Sequence, residues 1–242
     1  MKINRESTMR QNENIAESML KIVDTKIEEI LREGAHFNQL SKLYWSFGRD
    51  LTEIAGTMAG FTGLSEYIVL RAIIFFLEKE FESVEKSVRP KPPEPTNEPE
   101  GTNIPKFFVS FDKNILITHS ISINAKMNKK LQREIVWSKD KRKRPDIVIF
   151  RLKNGRYEPV AIVQVKTCQV NPRAIDTEIN TLNKIAIGDY LKIIVFFQEP
   201  TGAGKKKLKE FVDSNRNRAF VILPEEPPYF EDILNKIKKS VA

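Results

Sequence analysis

RPDIVIFRLKNGRYEPVAIVQVKT, residues 144–167, carries two runs of Ile, Val and Phe on either side of Lys153-Asn154-Gly155-Arg156. Apolar β-branched runs flanking an Asn-Gly pair predict a β-hairpin. The first strand opens on Arg144-Pro145-Asp146 and the second closes on Gln164-Val165-Lys166, so the polar groups gather at the open end of the hairpin. Gln164 and Lys166 are two apart on one strand and share a face. Whether Asp146 joins them depends on the turn. A two-residue turn at Asn154-Gly155 sets Asp146 opposite Val163 and on the wrong face. A three-residue turn, residues 153–155 with Gly155 left-handed, sets Asp146 opposite Ile162, diagonal to Gln164 and within about 7 Å of it. The three-residue turn is the register expected here.

Outward from the hairpin, further strands are predicted at Lys106 to Phe111, Ile115 to Ile123, Leu191 to Gln198 and Ala219 to Leu223. Helices are interposed after Asn171-Pro172, with Ile175, Ile179, Leu182 and Ala186 on one face, and over Lys205 to Val212. Toward the N-terminus, Ile15 to Leu31 and Phe37 to Met58 have helical periodicity on either side of Gly34, which predicts an antiparallel helical hairpin. A third helix, apolar round most of its circumference, is expected from Leu64 to Val88. RPKPPEPTNEPEGTNIP, residues 89–105, holds six of the thirteen prolines and reads as a linker or long surface loop. The order of elements argues for an α/β sandwich around a mixed β-sheet flanked by helices. The expected division is a helical region at 1–61, a core helix at 62–88, the proline-rich segment at 89–105 and an α/β catalytic domain at 106–242.

Composition narrows the function. Of 242 residues, 40% are hydrophobic and 30% charged, which suits a folded chain with a core and excludes a disordered or collagenous one. One cysteine, Cys168, and two histidines, His36 and His119, exclude a disulfide framework and a thiolate or His-rich zinc centre. The N-terminal residues lack the apolar core of a secretory signal, and the longest apolar run, Tyr67 to Leu77, is interrupted by Arg71 and too short to span a bilayer. A reducing, cytoplasmic setting with no membrane partner is expected. Residues 1–88 carry 11 basic and 14 acidic side chains, whereas 106–242 carry 27 and 15, a net charge of +12. Such asymmetry suits a polyanion. Within it, Lys139, Lys141, Arg142, Lys143 and Arg144 close a basic stretch beginning at Asn124, read either as phosphate contacts or as a solvated loop.

An acid, a second oxygen ligand and a lysine at the mouth of a hairpin meet the needs of phosphodiester hydrolysis. The Asp146 carboxylate and the Gln164 amide oxygen are expected to bind Mg²⁺, with Mn²⁺ able to substitute, and the Val165 backbone carbonyl to add a third ligand. Lys166 would orient the nucleophile and stabilise the transition state.

Pro145-Asp146 followed by Gln164-Val165-Lys166 on consecutive strands, and then a helix, resembles the PD-(D/E)xK nuclease superfamily, with the restriction endonuclease-like fold. The resemblance spans roughly residues 62–223. It implies a metal-dependent DNA endonuclease, most simply a type II restriction enzyme acting as a homodimer. It also implies an extra acidic ligand from the first core helix, carried here to Glu66 with Glu78 as fallback; a first-turn glutamate favoured by the helix dipole is the other reading of Glu66. Gln164 departs from the family pattern, which has Asp or Glu there, and removes one negative charge. A catalytically silent nucleic-acid-binding or regulatory subunit, a junction resolvase or a repair nuclease are the alternatives on the same fold.

Thr201-Gly202-Ala203-Gly204-Lys205 invites a phosphate-loop reading, but position 199 is Glu and Lys206 stands where Ser or Thr would hold Mg²⁺. A turn leading into a lysine-rich helix, with Lys205 and Lys206 near DNA backbone, is expected instead, and no nucleotide cofactor. His119 and Cys168 read as structural, and Trp45 and Trp137 as core or interface residues.

Overall fold

In the computed structural model, which describes residues 21–34, 37–55, 62–81, 83–91, 106–110, 114–119, 145–154, 156–167, 171–185, 189–225 and 229–242, alternate side chains of the hairpin feed two separate cores. The strands are β1 (Ser83–Lys91), β2 (Lys106–Ser110), β3 (Ile115–His119), β4 (Ile147–Lys153), β5 (Arg156–Lys166), β6 (Leu191–Phe196) and β7 (Ala219–Ile222). They form one mixed sheet in sequence order, antiparallel from β1 to β5 and parallel from β5 to β7. The helices are α1 (residues 21–32), α2 (Phe37–Ala55), α3 (Thr62–Glu78), α4 (Pro172–Ile185), α5 (Gly202–Ser214) and α6 (Phe230–Val241). Ile147, Ile149, Ala161 and Val163 pack with α1, α2, α3 and α6, while Val148, Phe150 and Ile162 pack with α4 and α5. The α/β sandwich read from the sequence is the architecture formed.

The hairpin reaches its register by a different route from the one expected. Lys153 pairs with Arg156, leaving only positions 154 and 155 between them, and Asn154 takes φ 52°. The turn is therefore the two-residue one, which alone would set Asp146 on the wrong face. A β-bulge reverses the parity: Phe150 pairs with Pro159, but Ile149 pairs with Ala161, so Val160 is one residue too many on β5. Val160 and Ala161 consequently turn toward the same core. Pro159 is the physical cause. It has no N–H for the ladder, and proline inside a sheet is confined to edges and bulges. Beyond the bulge Ile147 pairs with Val163, and the next position sets Asp146 opposite Gln164. Asp146 N donates to Val163 O at 3.2 Å and holds that end closed.

Several boundaries differ from expectation. Helix α3 ends at Glu78 and the chain returns as β1, so residues 83–88 are strand, and the proline-rich segment begins only after Lys91. β1 is an edge strand with irregular pairing to β2, the setting in which Pro90 is tolerated. Helix α5 starts at Gly202, ahead of the expected Lys205, because the Thr201 side chain caps it by accepting from Gly204 N at 3.3 Å. Helix α6 was not expected at all. Its Ile233, Leu234, Ile237 and Val241 are buried, with Glu231 and Asp232 in the first turn and Lys238 and Lys239 in the last, as the macrodipole favours. Residues 1–20, 56–61 and 92–105 lie outside the described residues.

Helices α1 and α3 are tied by charge inside the core. Arg71 is buried and its Nε lies 2.8 Å from Asp24 Oδ1, which also accepts the Tyr67 hydroxyl at 2.8 Å. Burial, and then the Asp24 carboxylate, drive the Tyr67 pKa far up. Gly34, at φ 129°, occupies a backbone region open to glycine and allows the chain to leave α1 for α2. Among the described residues no helix is long and apolar enough to cross a membrane. Asp24→Ala strands a buried guanidinium and is expected to destabilise the fold by about 3–5 kcal/mol in chemical denaturation, whereas Asp24→Ala combined with Arg71→Met costs much less. Equal losses in the two variants would show that the ion pair does not join these helices.

Candidate active site

The site is assembled at the carboxyl end of β5. Asp146 precedes β4 and has the same side-chain parity as Val148 and Phe150, so it stands on the α4 face together with Gln164 and Lys166. Its Oδ2 accepts from Val165 N at 2.7 Å, taking the place of the next main-chain acceptor that β4 would have supplied. In an extended strand a residue's N–H and C=O project to the same side, so the Val165 carbonyl faces the Asp146 side as well. Gln164 is 1% exposed. The three residues singled out from the sequence are therefore brought together.

Two glutamates join them. Glu66 lies in the second turn of α3, because that helix begins at Thr62, so the first-turn dipole reading does not account for it. Its carboxylate acts on Asp146 through space. Glu78 is twelve residues further along the same helix, about 18 Å away at 1.5 Å per residue, and is removed as a ligand. The second glutamate, Glu178 of α4, went unread in the sequence. Its Oε1 lies 2.8 Å from Lys166 Nζ. The signal was present in the spacing: Glu178 is three residues after Ile175 and four before Leu182, both buried, so a carboxylate stands on the inward stripe of an amphipathic helix.

The electrostatics follow from the crowding. Burial first, and the Glu66 carboxylate second, push the Asp146 pKa up to about 8, with Glu178 adding to the rise and the Val165 N–H and Lys166 opposing it. Burial alone would lower Lys166, but Glu178 above all, with Asp146 and Glu66, reverses this and raises it. Three carboxyl groups face one ammonium. Among the described residues no three His, Cys, Asp or Glu side chains form a ready-made ligand cluster. The donor set of Asp146, Glu66, the Gln164 amide and the Val165 carbonyl nevertheless fits a hard divalent cation that keeps several waters, and the surplus negative charge is what such a cation offsets.

The other expected contacts divide. Lys139, Lys141, Arg142, Lys143 and Arg144 lie outside the described residues, as do His36, Trp137 and Cys168. Lys206 is exposed on the second turn of α5, and Lys205 Nζ lies 2.8 Å from Glu199 Oε2. Thr201 is the cap of α5, and Gly202 to Lys205 are its first turn. Trp45 is 39% exposed, and its indole N–H donates to the Phe197 carbonyl at 2.9 Å. Ser41 Oγ donates to the same carbonyl at 3.0 Å, and Phe197 N donates to Lys166 O at 2.8 Å, so α2 is bonded to the strand end that carries the lysine.

Comparison of the chain with known protein families, curated proteins and solved structures finds no match.

A carboxyl titrating near 8 when folded and near 4 when unfolded means that the folded state holds a proton the unfolded state releases between those values. Stability of the metal-free protein is expected to fall as pH rises from about 5 to about 8, followed as the thermal midpoint in chelator. Asp146→Asn should flatten the fall, and Mg²⁺ should offset it in the unsubstituted protein. An unchanged slope in the variant would assign the proton to another group.

Proposed function

We propose that this chain is a metal-dependent DNA endonuclease of the PD-(D/E)xK type on a restriction endonuclease-like fold. The observation that carries the reading is the convergence of Asp146, Gln164 and Lys166 on one face at the carboxyl end of β5, with Glu66 reaching them from α3. The excess of basic residues in 106–242 supports a polyanionic substrate. Asp146, Glu66, Gln164 and the Val165 carbonyl would hold Mg²⁺, which when bound supplies Lewis acidity at the scissile phosphate.

In hydrolysis, water oxygen bonds to phosphorus, one phosphorus–oxygen ester bond breaks, and the leaving sugar oxygen takes up a proton. Lys166 orients the attacking water and faces the charge that grows on the phosphoryl oxygens in the transition state. Asp146 is fixed by Val165 N before substrate arrives, so its remaining oxygen is presented without a search. Lys205, Lys206 and the basic residues 139–144 would carry backbone contacts, which position the duplex without reading sequence. A type II restriction enzyme acting as a homodimer is the fullest form of this reading. The neutral Gln164 favours a second one, a binding subunit with no cleavage.

Incubation of purified protein with plasmid and Mg²⁺ or Mn²⁺ separates them. Discrete fragments support restriction, preference for branched DNA a resolvase, and retardation without cleavage the binding subunit. Lys166→Ala is expected to lower kcat by at least about 10²-fold, with DNA affinity changed less than about threefold, because one lysine is a small part of the basic surface. Cleavage that survives this substitution would place the chemistry elsewhere.

A further inference from the structure

A charge on the inward stripe of α4 calls for an explanation. Ile175 and Leu182 seat the helix in the core, and Glu178 between them is only 14% exposed, which desolvates its carboxylate. Fold stability is a weak reason for it. A buried ion pair contributes little net, and an apolar residue at that position would pack at no electrostatic cost. The alternative is that the carboxylate serves Lys166, whose ammonium it meets at 2.8 Å.

Lys166 has a flexible four-carbon stem and a point charge. Asp146 and Glu66 both attract it. Unopposed, that attraction draws the ammonium onto the carboxylates that the nuclease reading gives to the cation, and the lysine would compete with the metal. Glu178 pulls from α4, a different element from β4 and α3, and it occupies one of the three ammonium donors. We propose that Glu178 is the positioning residue for Lys166: it holds the ammonium away from the cation ligands and aimed at the arriving phosphate. It also places near the lysine the negative charge that Gln164 lacks. The inference rests on the nuclease reading and assigns Glu178 no contact with substrate or metal.

The test uses the full chain with plasmid and Mg²⁺, with Lys166→Ala run beside Glu178→Gln. Glu178→Gln is expected to lower kcat by about 10-fold to 100-fold while KM and the retardation midpoint stay within about twofold. Lys166→Ala combined with Glu178→Gln should be no slower than Lys166→Ala alone, since the glutamate acts only through the lysine. A second readout needs no turnover: in metal-free protein, acylation of Lys166 by acetic anhydride, followed by mass spectrometry, should rise several-fold in Glu178→Gln. If that variant does not fold, Glu178→Asp keeps the charge, draws it back by one methylene, and is expected to give a partial loss of kcat. Unchanged kcat or unchanged acylation in the folded variant overturns the role of Glu178 while leaving the nuclease reading intact. Full cleavage by Lys166→Ala, or none by the unsubstituted protein, overturns the nuclease reading and the inference with it.

Discussion

Paired antiparallel strands present side chains in strict alternation, so the addition of a single residue to one strand moves every later side chain to the opposite face. In this chain the added residue is Val160, and all the chemistry at the open end of the hairpin depends on it. Without the bulge Asp146 would face the α1–α3 core, and Gln164 and Lys166 the α4 side. With it, the aspartate and the glutamine stand opposite each other, and Val165 N supplies the bond that fixes the carboxylate. A device usually found at sheet edges and near active sites thus stands in mid-hairpin, six residues ahead of Lys166 at the second strand's end.

The same convergence has an electrostatic consequence. Asp146, Glu66 and Glu178 cannot all ionise comfortably around one ammonium, and Asp146 yields by holding its proton. Such a cluster is costly in an isolated fold and reasonable in a site that takes up positive charge.

Much of this was legible in the residues. The Ile- and Val-rich runs, the Asn-Gly turn and the helices after Asn171 and over Lys205 to Val212 followed from local preferences, and the sandwich from their order. The shared face of Asp146, Gln164 and Lys166 follows in the sequence from a three-residue turn, whereas the chain reaches it by a two-residue turn and the bulge that Pro159 marks. Glu178 escaped because spacing in a helix shows which stripe faces inward, not which strand it will meet. The β1 strand escaped because Ser83–Lys91 is polar and contains Pro90, so only its pairing to β2 defines it. Helix α6 has a regular pattern, with Ile233, Leu234, Ile237 and Val241 on one stripe, so the periodicity of the last residues is enough to define it.

The Phe197 carbonyl accepts from Ser41 and Trp45 on one side of the sheet, and its amide answers the Lys166 carbonyl. A helix remote in sequence is thereby splinted to the backbone from which the Lys166 ammonium hangs. The conformational freedom of that strand end is spent during folding, so Lys166 hangs from a scaffold already set. Remodelling α2 would therefore also disturb Lys166, and changes in the helix and in the strand end would have to evolve together.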